Sequence, residues 1–204
     1  MLQGSDLICV RGDRRLFKDV NFSLDAGSIM RVTGSNGSGK TSLLRMLCGL
    51  SKPEHGEISW HGKSIHSLDG EYYGDITYLG HLGGAKDDLT ALENLRISSA
   101  LAGTEISEQE AVDALQNIGL GGRELLPVKV LSQGQKKRVA LARLLIGKTA
   151  LWILDEPLVA LDISAVEMIK EILEQHLAQG GMVVMTTHQE IDIAAVTTQQ
   201  LQLA

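Results

Sequence analysis

Eight residues, Gly34-Ser35-Asn36-Gly37-Ser38-Gly39-Lys40-Thr41, narrow the folds open to this chain more than any other stretch. Before them, residues 29–33 read as an apolar strand. After them, Leu43, Leu44, Met46, Leu47 and Leu50 recur at helical spacing, and Pro53 and Gly56 are expected to close that helix. Strand, glycine-rich turn and helix in that order predict an α/β core. The glycines let the backbone fold tightly, so that successive N–H groups point at phosphate oxygens with the positive end of the helix behind them. Lys40 then suits the β- and γ-phosphates of a nucleotide, and the Thr41 hydroxyl suits Mg²⁺. Ser42 completes the candidate nucleotide contacts. No Asn-Lys-x-Asp guanine-reading motif follows, which favours ATP over GTP.

The rest of the chain organises around that unit. Its 204 residues, 44% hydrophobic and 22% charged, allow one sizeable core with a subordinate lobe. No apolar run approaches the roughly 18 residues that span a bilayer, and the first ten residues lack a basic segment followed by an apolar one. A cytosolic chain is expected. Cys9 and Cys48, in apolar contexts without metal-ligand spacing, read as reduced packing thiols. A net charge of -6 argues against nucleic acid as a partner, and Lys136-Lys137-Arg138 reads as a solvated helix face. Val20, Phe22 and Leu24 alternate as in a half-exposed antiparallel strand, and residues 57–60 and 63–65 flank His61-Gly62 as in a hairpin. From about 90 to 147 strand signals vanish, while Thr90 with Glu93, Ser107 with Glu110 and Ser132 with Gln135 each match the helix-start pattern of a capping box. That block reads as a helical lobe inserted in the α/β core. A strand ending at Asp155, a helix opened by Ser164 and Glu167, and a strand over residues 182–186 resume the core.

Polar residues stand at three further places where packing explains them poorly. Asp155 and Glu156 end the run Ala150-Leu151-Trp152-Ile153-Leu154, which is too apolar for anything but a central strand, and strand ends of such sheets are where ligands bind. His188 follows the next apolar strand in the context Thr186-Thr187-His188. Leu131-Ser132-Gln133-Gly134-Gln135 starts a helix, leaving the Ser132 side chain or backbone N–H groups to meet an anion.

In this order, with Leu161-Asp162 after the carboxylates, these segments resemble the ATP-binding cassette (ABC) ATPases over essentially the whole chain. The resemblance implies an α/β P-loop NTPase (ABC ATPase) core with an N-terminal antiparallel β region and an inserted helical lobe. Residues 1–204 would form a single nucleotide-binding domain. It also implies ATP and Mg²⁺ as cofactors, with Asp155 on the Mg²⁺ hydration shell. Glu156 would be the general base that polarises the attacking water, and His188 the γ-phosphate sensor. Ser132, Gly134 and Gln135 would meet ATP bound by a second subunit in a head-to-tail dimer, with Asp162 in a loop at the same interface. Gln133 stands where the family usually has Gly. Arg11 stands where the family usually stacks an aromatic on adenine, a task a guanidinium plane can also perform. His81 replaces the usual Gln that contacts Mg²⁺ and faces the membrane partner. The segments Tyr78-Leu79-Gly80-His81-Leu82-Gly83-Gly84-Ala85-Lys86 and Leu89-Thr90-Ala91-Leu92-Glu93-Asn94-Leu95, on a short cassette, resemble the ATP-binding subunits of the cytochrome c maturation (haem exporter) family. An integral-membrane partner, an indirect link to a haem chaperone, and a peripheral place on the cytoplasmic face of the bacterial inner membrane are then expected. Another ABC transporter ATPase, for lipid, drug or ion, or a non-transport ABC protein, are the alternatives.

Overall fold

The computed structural model describes residues 1–68, 70–81, 83–189, 191–193 and 197–203. They fall into two compact units, the first made of Met1–Tyr78, Thr149–Glu156 and Glu174–Ala204, the second of Leu79–Lys148 and Pro157–Leu173.

The first unit carries two sheets. Strands β1 (Leu2–Arg11) and β2 (Arg14–Leu24) pair antiparallel, and with β4 (His55–Trp60) and β5 (Lys63–Ser64) they form a sheet in the order β2-β1-β4-β5. His61 (φ 50°) and Gly62 (φ 79°) close the β4–β5 hairpin, the positive φ at both central residues matching strand twist. The second sheet takes β3 (Ser28–Gly34), β6 (Ile76–Leu79), β7 (Leu151–Asp155), β8 (Met182–Thr186) and β9 (Thr197–Leu203) in the order β6-β7-β8-β3-β9. The pairs β7–β8, β8–β3 and β3–β9 are parallel. Every residue of β7 and β8 is buried, as continuous apolar strands of a parallel sheet should be.

Helix α1 (Lys40–Leu47) turns Leu43, Leu44, Met46 and Leu47 inward against β3, β7 and β8. It is shorter than its sequence predicts. Gly49, at φ 71°, takes the left-handed position that ends a helix, so Leu50 falls outside the apolar stripe and is 58% exposed. Leu2, Leu7, Phe17, Met30, Val184 and Trp60 share one core with α1. Each large side chain so buried stabilises the fold by about 1.5–3 kcal/mol. The polar ends of its aromatics are satisfied: Trp60 Nε1 donates to Asp75 at 2.8 Å, and the Tyr72 hydroxyl, in the short helix α2 (Glu71–Gly74), donates to the Leu47 carbonyl at 2.6 Å. Cys9 and Cys48 are buried and free of disulfides, and burial pushes both thiols above their ordinary value.

The second unit is mainly helical, with α3 (Ala91–Leu101), α4 (Glu108–Asn117) and α5 (Gln133–Leu141). All three expected capping boxes form. Thr90, Ser107 and Ser132 each accept the N–H three residues on, and Glu93, Glu110 and Gln135 reach back to the cap's own N–H. Asn94, 5% exposed, ties down the preceding turn by accepting from the Lys86 N–H at 2.6 Å and donating to the Lys86 carbonyl at 2.9 Å.

Two local expectations are corrected here. Helix α6 (Ile163–Ala178) is opened by Asp162, not Ser164: the Asp162 carboxylate accepts the Ala165 N–H at 2.8 Å and the Ser164 hydroxyl at 3.0 Å. Lys136 and Arg138 of α5 do not stand free in solvent either. Lys136 pairs with Asp87 at 2.8 Å, and Arg138, its side chain 16% exposed, pairs with Asp162 at 2.7 Å. Among the described residues no helix is long and apolar enough to cross a membrane.

Candidate functional site

The end of β3 and the start of α1 shape the phosphate loop. Gly34 (φ 149°) has no room for a side chain, because a Cβ there would lie 2.6 Å from both Ser38 Oγ and the Leu203 carbonyl. Gly39 (φ 102°) stands at the cap position of α1, which has no side-chain cap, so its first N–H groups are left for a ligand. Lys40 Nζ lies over the loop, donating to the carbonyls of Gly34 at 2.8 Å and Ser35 at 3.2 Å. Ser38 Oγ is buried with no protein partner among the described residues, an orphan that a phosphate oxygen would satisfy. Ser42 stands beside the Cys9 thiol, whose upward shift by burial it opposes. Arg11 is exposed at the end of β1, opposite Arg14.

The ends of β7 and β8 bring the expected carboxylates and His188 to this loop. Asp155, only 3% exposed, accepts the Thr41 hydroxyl at 2.9 Å on one oxygen and the Thr186 hydroxyl at 2.7 Å on the other. Thr186 in turn accepts the backbone N–H of Glu156 at 2.9 Å. Glu156 has φ 51°, a left-handed backbone that non-glycine residues rarely adopt, and its side chain is 14% exposed. Its Oε1 lies 3.3 Å from His188 Nε2, and the His188 side chain is 62% exposed. The structure therefore joins Thr41, Asp155 and the Glu156 backbone through hydrogen bonds by way of Thr186, and brings His188 to the Glu156 carboxylate. Thr186, the link between the two carboxylates, was not singled out as a site residue from the sequence. The signal was there, since a hydroxyl ends an otherwise apolar five-residue strand.

Thr41 and Asp155 present hydroxyl and carboxylate oxygens to each other, a hard donor pair that fits Mg²⁺, which binds through one or two protein ligands and keeps its waters. No cluster of three or more His, Cys, Asp or Glu side chains able to hold a metal occurs among the described residues, and His81 has no such company.

In the second unit the Ser132 hydroxyl is not idle: it accepts the Gln135 N–H at 3.3 Å, and Gln135 Oε1 accepts the Ser132 N–H at 2.9 Å. The hydroxyl's own proton is still available to an anion. Gly134 is needed for close approach, since a Cβ there would lie 2.8 Å from the Ala160 carbonyl. Asp162 caps α6 and holds Arg138, and these bonds keep its carboxyl below the ordinary range, the Ala165 N–H contributing most. His81 is exposed and lines a cavity of about 370 Å³ with Gly83, Asp87, Gln133, Lys136 and Ala160.

The sequence of residues 17–159 matches the family model described as ABC transporter. The chain is 66% identical over 202 residues to the cytochrome c biogenesis ATP-binding export protein CcmA of Nitrosospira multiformis, covering 99% of this chain and 98% of that one. An ABC transporter ATP-binding protein from Pyrococcus furiosus superposes with a TM-score of 0.84 at 26% identity, covering 99% and 96% of the two chains. A dimeric ATP-binding cassette in a post-hydrolysis state with ADP and Pi superposes with a TM-score of 0.81 at 26% identity, covering 93% and 88%. With its phosphate loop, its paired carboxylates and a family match across most of its length, the chain belongs to the ABC transporter family of ATP-binding cassettes.

Proposed function

We propose that this chain is the ATP-hydrolysing subunit of an ABC export complex that serves c-type cytochrome biogenesis. The observation that carries the ATPase reading is the series Thr41–Asp155–Thr186–Glu156, buried at Asp155 and Thr186, with His188 at its end. The near-complete, 66% identity to a cytochrome c biogenesis export ATPase carries the biological assignment. Residues 1–204 act as one nucleotide-binding domain with residues of about 90–147 as its helical lobe.

In this reading the loop N–H groups and Lys40 bind the β- and γ-phosphates. Thr41 and Asp155 would hold Mg²⁺, which would supply charge screening of the phosphates. Glu156 accepts a proton from the attacking water, its carboxylate aimed by the left-handed backbone and by the Thr186 bond to its N–H. His188, in reach of Glu156, orients that carboxylate and offers a ring nitrogen toward the γ-phosphate. Arg11 stacks on adenine.

ABC cassettes form dimers, and Ser132, Gly134, Gln135 and Asp162 are assigned to the ATP of a second subunit paired head to tail. His81 is assigned to coupling with an integral-membrane subunit on the cytoplasmic face of the inner membrane, and through it to a haem chaperone. Complementation tests the whole reading. A host strain lacking the gene should lose haem-staining c-type cytochromes, regain them with the wild-type chain, and not regain them with Lys40→Ala. Normal cytochromes in the deletion strain would remove the assignment.

A further inference from the structure

Beside the phosphate loop, within the first unit, lies a cavity of about 270 Å³ lined by Arg31, Thr33, Gly34, Lys40, His188 and Gln200, together with two neighbours of His188. Arg31 and Thr33 are surprising tenants of β3. That strand runs between β8 and β9 in the sheet interior, and its Ile29, Met30 and Val32 are wholly buried. Placing a guanidinium there withdraws part of it from water, which an internal strand tolerates poorly without a partner. The described hydrogen bond of Arg31 is a long one, from Nη1 to the Ile191 carbonyl at 3.4 Å, and it uses one of five guanidinium donors. Gln200 Nε2 donates to Thr33 Oγ1 at 3.2 Å, which leaves the Thr33 proton to be given elsewhere. The lining thus offers two permanent cations, hydroxyl and amide donors and an imidazole, and no carboxylate among its described residues. Arg31 stands three residues before Gly34, about 10 Å back along an extended strand. The cavity therefore takes residues both from the loop, Gly34 and Lys40, and from β3 behind it, Arg31 and Thr33.

We infer that this cavity is a receptor for inorganic phosphate, the product of hydrolysis, and that Arg31 is the residue that draws phosphate off the loop. The inference rests on the ATPase reading. When water adds to the γ-phosphorus, the bond to the β-phosphate oxygen breaks. ADP departs with that electron pair, orthophosphate carries the water oxygen, and the released proton passes to Glu156. Orthophosphate is then a free, tetrahedral dianion next to Lys40 and His188, which line both the loop and the cavity. Arg31, with its planar fork of donors, matches such an oxyanion better than a lysine would. The cavity is too small for a second nucleotide but admits one phosphate with its water.

Radiolabelled orthophosphate binding to the ADP-loaded full-length chain tests this, with ADP affinity measured on the same samples. The wild-type chain should bind one phosphate. Arg31→Gln should weaken phosphate roughly tenfold and leave ADP affinity within about twofold, as expected for losing one charge-assisted contact. Gln200→Glu, which adds a negative charge at the exposed sheet edge, should weaken phosphate likewise, while Arg31→Lys should restore part of it. Phosphate affinity unchanged in Arg31→Gln, or ADP affinity falling in parallel, would overturn the inference and leave the ATPase reading standing. Failure of the wild-type chain to bind ADP or ATP would instead strike at that reading.

Discussion

The phosphate-loop unit and the helical unit are held together in opposite ways. Around Asp155 the first unit uses a largely buried polar series in which the carboxylate accepts two hydroxyls and the Thr186 hydroxyl serves both Asp155 and the Glu156 N–H. Around Ser132 the second unit uses a cap closed within three residues and ion pairs in which half-buried bases meet exposed carboxylates. Buried networks are strong in place and expensive to break, because a lost partner leaves a desolvated polar group behind. Exposed caps and pairs contribute less and are individually dispensable. The chemistry that must not drift is built the first way, and the surface assigned to a partner's nucleotide is built the second.

Removing one member of the buried series should break that contrast most visibly. Thr186→Val deletes the donor to Asp155 and the acceptor for the Glu156 N–H at nearly constant volume. Denaturant unfolding should register a loss of about 1–3 kcal/mol. ATP turnover should fall as well, because Glu156 loses the bond that fixes its backbone. An unfolding midpoint equal to wild type would mean the series is not structural. In the helical unit, Thr90→Ala should lower stability by about 1 kcal/mol, and ATP affinity should stay at its wild-type level; a loss as large as that of Thr186→Val would erase the difference between the units.

Acid should sharpen the same contrast. Glu93 is held below its ordinary value of 4.5 first by the Thr90 N–H and then by its hydroxyl, and Glu110 by the Ser107 hydroxyl and N–H. A carboxyl whose folded value is depressed contributes stability that is fully present above 4.5 and is lost as pH falls through the lower, folded value. First-turn amides of α3 and α4 should therefore gain exchange below about pH 4.5 relative to the β7 and β8 amides, and Glu93→Gln should remove that dependence at α3. The smallest effect belongs to Lys136→Ala. Its pair with Asp87 is partly exposed, so a loss of no more than about 0.5 kcal/mol is expected, read by thermal melting and diminished in high salt.

What the sequence disclosed follows the same division between local and distant causes. Capping boxes are decided by residues three apart, so all three could be read directly. The continuous apolar runs of β7 and β8 and the His61-Gly62 turn were equally plain. Strand β1 was not, because its register with β2 shifts near Gly4 and Leu7 and Asp6 turns to φ 50°, where it exchanges hydrogen bonds with Asn21. No alternation survives such irregularity. The α6 cap was misread for another reason: Ser164 fits the local pattern, but Asp162 accepts the Ser164 hydroxyl and takes the role itself. Lys136 and Arg138 looked solvated because their partners, Asp87 and Asp162, lie 49 and 24 residues away. Thr186 carries a weak local signal, a hydroxyl closing an apolar strand, whose meaning depends on Asp155 and Glu156, 31 and 30 residues away.

The account turns on Glu156 as the proton acceptor at a strained strand end. Glu156→Gln keeps the side chain's shape and its hydrogen-bonding reach while removing the base. ATP affinity and single-turnover hydrolysis should be measured on one preparation of that variant. The account predicts ATP affinity within about threefold of wild type and hydrolysis slowed by roughly 10²–10⁴-fold. Hydrolysis at the wild-type rate, with ATP bound normally, would contradict it.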